Sequence, residues 1–157
     1  EVRFIEYMDV GGATRWSKEN VISRAEMLRL IATARGRVTA IDEVSSAPAD
    51  RFQLPSGQTF GIISSTTEPF CRSCDRSRLT ADGLWYLCLY ARTGIDLRKA
   101  LRGGASPEEL GDLINATWAA RGDRGAELRL AAEDRQPLIP LETLQKEPHL
   151  EMHTRGG

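Results

Sequence analysis

The close spacing of three cysteines is the feature that most constrains how this chain can fold. Cys71, Cys74 and Cys88 form the pattern C-x2-C-x13-C within the stretch PFCRSCDRSRLTADGLWYLCLY, and the chain has three cysteines in all. An odd number suits no closed disulfide framework, and a bond between the first two would close only a very small loop. Thiolates spaced in this way are typical of sites that bind a metal ion or an iron–sulfur cluster. We therefore expect a fold that brings all three sulfurs together.

Composition excludes several classes of protein. Lys and Arg number 21 against 22 for Asp and Glu, and the formal net charge of −1 argues against nucleic-acid binding. No apolar run approaches the roughly 20 residues that a membrane span needs. The absence of a signal-peptide pattern, together with few and clustered cysteines, indicates the reducing cytoplasm. The opening residues EVRFIEYMDV lack an initiator Met and have the pattern of a strand already begun, which favours a piece of a longer protein.

The first third of the chain has the pattern of a strand followed by a helix. Val2–Val10 carries apolar residues on both faces, so we expect a strand covered on both sides, as in a parallel α/β sheet. Ser23 begins a capping box and Gly36 is a plausible stop for the helix between them. After about residue 50 the pattern changes to short strands. This change predicts a boundary between residues 1–50 and residues 51–157.

Two turns predict hairpins in the second part. Leu54–Gly57 has Pro and Gly at the positions that a type I turn prefers. Asp82 and Gly83 are typical of a two-residue hairpin turn, in which both residues need a positive φ. That turn would place Cys88 opposite Ser77 on the partner strand.

The last third is predicted to be more helical. Asp96 is a good N-cap for a short helix that Gly103 would end, and Ser106 begins a second helix with Pro and Glu in its first turn. Trp118 lies on the apolar side of that second helix, and we expect it to be packed core.

Two kinds of site remain open for the cysteines from the residues alone. A structural zinc site would need a fourth ligand, which His149 or His153 would supply. An iron–sulfur cluster held by three cysteines would instead leave one iron open to a substrate atom. Arg76 and Arg78 point the same way in an extended chain, and two such guanidinium groups bind phosphates or carboxylates. A strict two-residue hairpin, however, places both arginines on the face opposite Cys88.

Several stretches of the sequence closely resemble one enzyme family. RFIEYMDVG, GIISSTTEPFCRSCDRSRLTADGLWYLCLY, GIDLRKALRGG and the final Gly156-Gly157 are similar to the GTP 3′,8-cyclases of molybdenum-cofactor biosynthesis, which are radical S-adenosylmethionine enzymes. The resemblance covers essentially the whole chain. It covers only the second half of the family's protein, because nothing here matches the C-x3-C-x2-C motif of the N-terminal half.

The resemblance implies a fold and a reaction. The fold class is α/β: residues 1–50 are the last strand and helix of an incomplete (β/α) barrel. Residues 51–157 are an α+β closing segment that carries an iron–sulfur cluster and binds GTP. The family converts GTP to (8S)-3′,8-cyclo-7,8-dihydroguanosine 5′-triphosphate in the first step of molybdenum-cofactor synthesis. The chain alone is expected to be inactive without the N-terminal half.

The resemblance also implies a role for individual residues. A [4Fe–4S] cluster is expected on Cys71, Cys74 and Cys88, with its open iron facing the GTP purine. The residues expected to bind GTP are Arg76, Ser77, Arg78 and, less directly, Arg3, and the residue expected beside S-adenosylmethionine is Met8. The terminal glycines are expected to reach toward the active site. The expected partners are GTP and the N-terminal half, which holds a second [4Fe–4S] cluster; a homodimer stays open, and neither nucleic acid nor a membrane is expected.

Overall fold

The computed structural model describes residues 1–10, 12 and 15–155 of this chain. Over that range the protein is mixed α/β, with seven short strands and five α-helices. The chain divides into two compact units: a first unit of residues 1–9, 15–75 and 126–137, and a second unit of residues 10–14, 76–125 and 138–157. None of the helices in the described residues has the length and apolarity needed to cross a bilayer.

The first unit is built on a four-stranded mixed sheet. Its strands are β1 (Val2–Ile5), β2 (Thr39–Ile41), β3 (Asp50–Gln53) and β4 (Thr59–Ile63). Their order is β1-β4-β3-β2, with β1 parallel to β4 and the other pairs antiparallel. The turn at Leu54–Gly57 joins β3 to β4 as predicted, with the Gly57 N–H donating to the Leu54 carbonyl at 2.9 Å.

Helix α1 (Arg24–Arg35) covers one face of this sheet. The Ser23 side chain accepts from the Glu26 N–H at 3.3 Å, and the helix ends at Gly36 with a φ of 87°. The reciprocal half of the predicted capping box is absent, because the Glu26 carboxylate pairs with Arg29 instead. Apolar residues of α1 pack on the buried side chains of the sheet, which are Phe52, Phe60 and Ile62.

Strand β1 is shorter and more exposed than its apolar pattern predicts. It ends at Ile5 rather than Val10, lies at the edge of the sheet, and exposes all four of its residues. The chain leaves the ladder because the Tyr7 carbonyl accepts hydrogen bonds from the Trp16 indole at 2.9 Å and the Thr66 hydroxyl at 3.1 Å. We expected both faces of this strand to be covered, but the described residues of its own unit leave its side chains exposed.

Two buried carboxylates fix the segment after β1. The Glu6 side chain accepts hydrogen bonds from the N–H groups of Arg24, Thr66 and Thr67 and from the Thr67 hydroxyl, at 2.6–2.9 Å. Since an unpaired buried carboxylate would be costly, this set of four donors is what allows Glu6 to be 1% exposed.

Asp9 is held by two arginines from a distant part of the chain. Arg135 donates through Nε and Nη2 to the two carboxylate oxygens at 2.9 and 3.1 Å, and Arg129 donates through Nε at 2.8 Å. The Arg135 guanidinium also lies 5.0 Å from the Trp16 ring centroid and donates to the Thr66 carbonyl at 3.0 Å. Burial alone would raise the pKa of Asp9, but hydrogen bonds from Arg135 and Arg129 outweigh burial and hold that pKa below its usual value.

Replacing Asp9 by alanine should destabilise the protein by about 3–5 kcal/mol, because two arginines would lose their buried carboxylate. Urea unfolding of the Asp9→Ala protein at neutral pH measures this, with Glu26→Ala as the control because the Glu26–Arg29 pair is exposed. The folded pKa of Asp9 is depressed, so its contribution is present above the unfolded pKa of about 3.9 and is lost as pH falls through the folded value. Equal losses in the two variants would contradict the expectation.

The second unit contains a small antiparallel sheet and the predicted helices. The strands are β5 (Arg78–Leu79), β6 (Leu84–Tyr86) and β7 (Ile95–Asp96), in that order. The helices of this unit are α2 (Leu97–Arg102), α3 (Pro107–Ala119) and α5 (Leu141–Lys146), whereas α4 (Gly125–Leu130) belongs to the first unit except for Gly125. The cap at Asp96 and the complete capping box at Ser106 confirm both predicted helix starts.

Trp118 is the exception to the predicted packing of α3. Its side chain is 37% exposed, so the prediction that it is packed core is wrong. Its ring stacks on Trp85 with centroids 6.5 Å apart, and the Arg121 guanidinium lies 4.7 Å from its centroid. Contacts with one aromatic ring and one cation thus replace burial in a core.

Candidate functional site

Cys71 and Cys74 lie on one short turn of the first unit. Residues Cys71–Ser73 form a single 3-10 turn, and the Cys74 N–H donates to the Cys71 carbonyl at 3.3 Å. Neither cysteine forms a disulfide bond, and both are half-buried. A short turn that carries two thiols has the chemistry of a chelating loop.

Cys88 lies in the second unit, in the turn that follows β6. The Ala91 N–H donates to its carbonyl at 3.1 Å, and the thiol is free and half-buried. Gly125 packs closely against this turn: a Cβ at Gly125 would lie 3.0 Å from the Cys88 sulfur and 2.4 Å from the Tyr90 Cβ. The backbone at Gly125 therefore leaves no room for a side chain beside the thiol.

The donor set fits an iron–sulfur cluster in its chemistry. None of the three cysteines forms a disulfide bond and each is partly exposed, so their sulfurs are available as ligands for iron. Among the residues that the structure describes, no group of three Cys, His, Asp or Glu side chains is assembled as a metal site. The two histidines considered for zinc have other surroundings: His149 Nδ1 lies 3.4 Å from Asp82 Oδ2, and His153 is exposed.

The β5–β6 hairpin differs from the predicted one by one residue. Arg78 pairs with Tyr86 and Leu79 with Trp85, so the predicted pairing of Cys88 with Ser77 is wrong. The loop has three residues rather than two, because Gly83 adopts a positive φ of 90° while Asp82 does not. Asp82 instead accepts a hydrogen bond from the Thr80 hydroxyl at 2.6 Å.

The new register changes where the two arginines point. A shift of one residue moves every side chain of a strand to the other face. Arg78 now lies on the same face as Tyr86, and the same register continued by two residues would place Arg76 opposite Cys88. Arg76 and Arg78 are half-buried, whereas Ser77 and Leu79 between and beyond them are exposed. In this register the two arginines and Cys88 would share one face, while the observed pairing itself ends at Arg78 and Tyr86.

The remaining predicted site residues lie in the first unit or outside the described range. Arg3 is on β1, opposite Gly61 of β4, and its side chain is 54% exposed. Met8 is half-buried in the segment that Glu6 and Asp9 fix on either side. Gly156 and Gly157, which were expected to reach an active site, lie outside the described residues.

Comparison with known families decides the relationship. A family model described as "Molybdenum Cofactor Synthesis C" matches residues 1–127. The chain belongs to this family. That match includes all three cysteines, Arg76 and Arg78, and both carboxylates that fix the segment after β1.

Curated proteins similar to this member of the Molybdenum Cofactor Synthesis C family carry one enzyme name. The chain is 56% identical over 157 residues to "GTP 3′,8-cyclase 3" of Mycobacterium bovis and 58% identical to "GTP 3′,8-cyclase 1" of Mycobacterium tuberculosis. It is 39% identical over 158 aligned residues to "GTP 3′,8-cyclase" of Synechococcus sp.. All of this chain is covered in each comparison, but only 42%, 44% and 41% of these relatives. The chain thus spans less than half the length of the relatives and matches their C-terminal part.

Proposed function

We propose that this chain is the cluster- and GTP-binding C-terminal part of a GTP 3′,8-cyclase. The whole protein would act in the cytoplasm, converting GTP to (8S)-3′,8-cyclo-7,8-dihydroguanosine 5′-triphosphate for molybdenum-cofactor synthesis. Residues 1–50 would complete a (β/α) barrel and residues 51–157 would close it. The observation that supports the proposal is the hairpin register, which pairs Arg78 with Tyr86; continued by two residues, it would bring Arg76 to the same side of the strand as Cys88.

The three cysteines would hold a [4Fe–4S] cluster. When bound, such a cluster supplies one iron without a protein ligand, an open Lewis-acid position for the purine. The chain's own part is to hold the nucleotide there. The guanidinium groups of Arg76 and Arg78 would bind phosphate oxygens, with Ser77 and Arg3 as further contacts, while Met8 would lie against S-adenosylmethionine.

The GTP site is tested by replacing each arginine of the hairpin. Arg76→Ala and Arg78→Ala should each weaken GTP binding about tenfold, because a charge-assisted hydrogen bond contributes about 1.5–3 kcal/mol. Iron content should stay unchanged in both. Calorimetric titration of the anaerobically reconstituted chain with GTP measures this effect. Arg102→Ala, which removes an exposed arginine at the end of α2, is the matched control. Wild-type GTP affinity in both hairpin variants would refute the proposal.

A further inference from the structure

Gly125, the first residue of α4, lies directly against the turn that carries Cys88. A Cβ built on Gly125 would lie 2.4 Å from the Tyr90 Cβ, and 3.0 Å from both the Cys88 Sγ and the Tyr90 Cγ. The first of these distances is far shorter than the roughly 3.5–4.0 Å at which two carbon atoms attract each other. A side chain at this position would therefore push the turn away from residue 125.

The space around Gly125, and not its backbone conformation, explains why glycine is present. The φ of Gly125 is not positive, so a residue with a side chain could adopt the same backbone. Alanine would also favour the helix more than glycine does. The close approach of Cys88 and Tyr90 is thus the feature that glycine alone permits.

The turn cannot relieve such a clash by rotating a side chain. The atom nearest to the added Cβ is the Tyr90 Cβ, whose position is fixed by the backbone, and Tyr90 is buried. The Ala91 N–H donates to the Cys88 carbonyl at 3.1 Å, which links the backbone on either side of Tyr90. A shift of Tyr90 would therefore displace Cys88 as well.

The other two cysteines do not depend on packing of this kind. Cys71 and Cys74 lie on one 3-10 turn, in which the Cys74 N–H donates to the Cys71 carbonyl at 3.3 Å. Their spacing is set by the local backbone. The position of Cys88, in contrast, depends on contact with Gly125, which is distant from it in the sequence.

We infer that Gly125 is a positioning residue for Cys88, because it keeps free the space in which the Cys88 sulfur lies when it binds iron. This inference rests on the proposed function for the identity of the iron–sulfur cluster, and it adds Gly125 to the residues on which the cluster depends. A cluster held by three cysteines has no spare thiolate. Displacing Cys88 alone should therefore weaken the whole site.

The Gly125→Ala protein should release iron to a chelator about tenfold faster than the wild type after anaerobic reconstitution, since crowding a packed site is costly. Gly122→Ala is the matched control, because a Cβ at Gly122 meets no atom within 4 Å. Leu144→Ala is a second control, since it truncates a buried side chain of the same unit and adds no atom beside Cys88. Both controls should release iron at the wild-type rate.

A measurement without metal follows the displacement of the thiol itself. When serine replaces Cys71 and Cys74, Cys88 is the one thiol left for iodoacetamide to alkylate. Adding Gly125→Ala to this protein should raise the alkylation rate about threefold, because the thiol leaves its half-buried position. Adding Gly122→Ala should leave that rate unchanged.

A Gly125→Ala change that leaves either the iron release or the alkylation rate at the wild-type value would overturn this role of Gly125. Iron release that is equally fast from Gly125→Ala and Leu144→Ala would also overturn it, because lost stability would then explain the effect. A wild-type chain that takes up no iron would instead refute the proposed function. The alkylation rates would still test the packing in that case, so the two failures are distinguishable.

Discussion

The Cys88→Ser protein is expected to lose most of the iron that the wild-type chain binds after anaerobic reconstitution with iron and sulfide. The wild type should hold one [4Fe–4S] cluster, because it has one set of three cysteines and none of them is in a disulfide bond. Iron in such clusters is held by thiolate, and a serine hydroxyl does not replace this soft ligand. Iron and sulfide analysis with the visible spectrum measures the loss.

The control for this loss is Gly111→Ala. Gly111 lies on α3, and a Cβ there meets no atom within 4 Å, so the fold and the iron content should be kept. Full iron retention in Cys88→Ser would contradict a cluster held by three cysteines. A colourless wild-type protein that contains zinc instead of iron would favour the structural zinc site.

No cyclised product is expected from the 157-residue chain supplied with GTP, S-adenosylmethionine and dithionite without oxygen. The proposed reaction needs a radical, which is made by a reducing cluster that binds S-adenosylmethionine. This chain has three cysteines, and the proposal assigns all of them to the cluster that faces GTP. The chain also exposes apolar side chains on edge strand β1, including Val2 and Ile5 at 63% and 58%. An uncovered apolar edge of this kind favours aggregation.

Adding the separately produced remainder of the protein should reduce aggregation and restore turnover. It would cover β1 and a cleft of about 400 Å³ beside it, lined mainly by apolar side chains such as Phe4, Ile22 and Leu30. Chromatographic detection of the cyclised nucleotide measures turnover, and light scattering measures aggregation. A remainder whose C-x3-C-x2-C cysteines are serines is the control, which should restore solubility without turnover. Product from the 157-residue chain by itself would contradict the proposal that the remainder of the protein generates the radical.

Local sequence signals predicted local structure well. The starts of α2 and α3 follow from Asp96 and Ser106, because an N-cap acts through hydrogen bonds within its own first turn. The stop at Gly36 likewise needs only its own backbone conformation. The short helices α4 and α5 were missed, since six residues give too little apolar periodicity to distinguish a helix from a loop.

Features that depend on distant contacts could not be predicted. The register of the hairpin was wrong because Asp82 bonds to Thr80 instead of adopting a positive φ, a choice between two turn types that the same residues allow. The buried roles of Glu6 and Asp9 were missed because their partners are up to 61 and 126 residues away. The one available signal was a pair of carboxylates within a mainly apolar segment, which indicates buried polar partners.

Because Asp9 pairs with Arg135, the first unit can be completed only late in synthesis of the chain. The first unit cannot be completed when its sheet leaves the ribosome, because the arginines that neutralise Asp9 are translated about 120 residues later, after the whole of the 76–125 segment. Closing so long a loop is slow relative to local structure. The nascent chain therefore carries Asp9 without its two arginines while the second unit is being made, so the first unit stays incomplete during that interval.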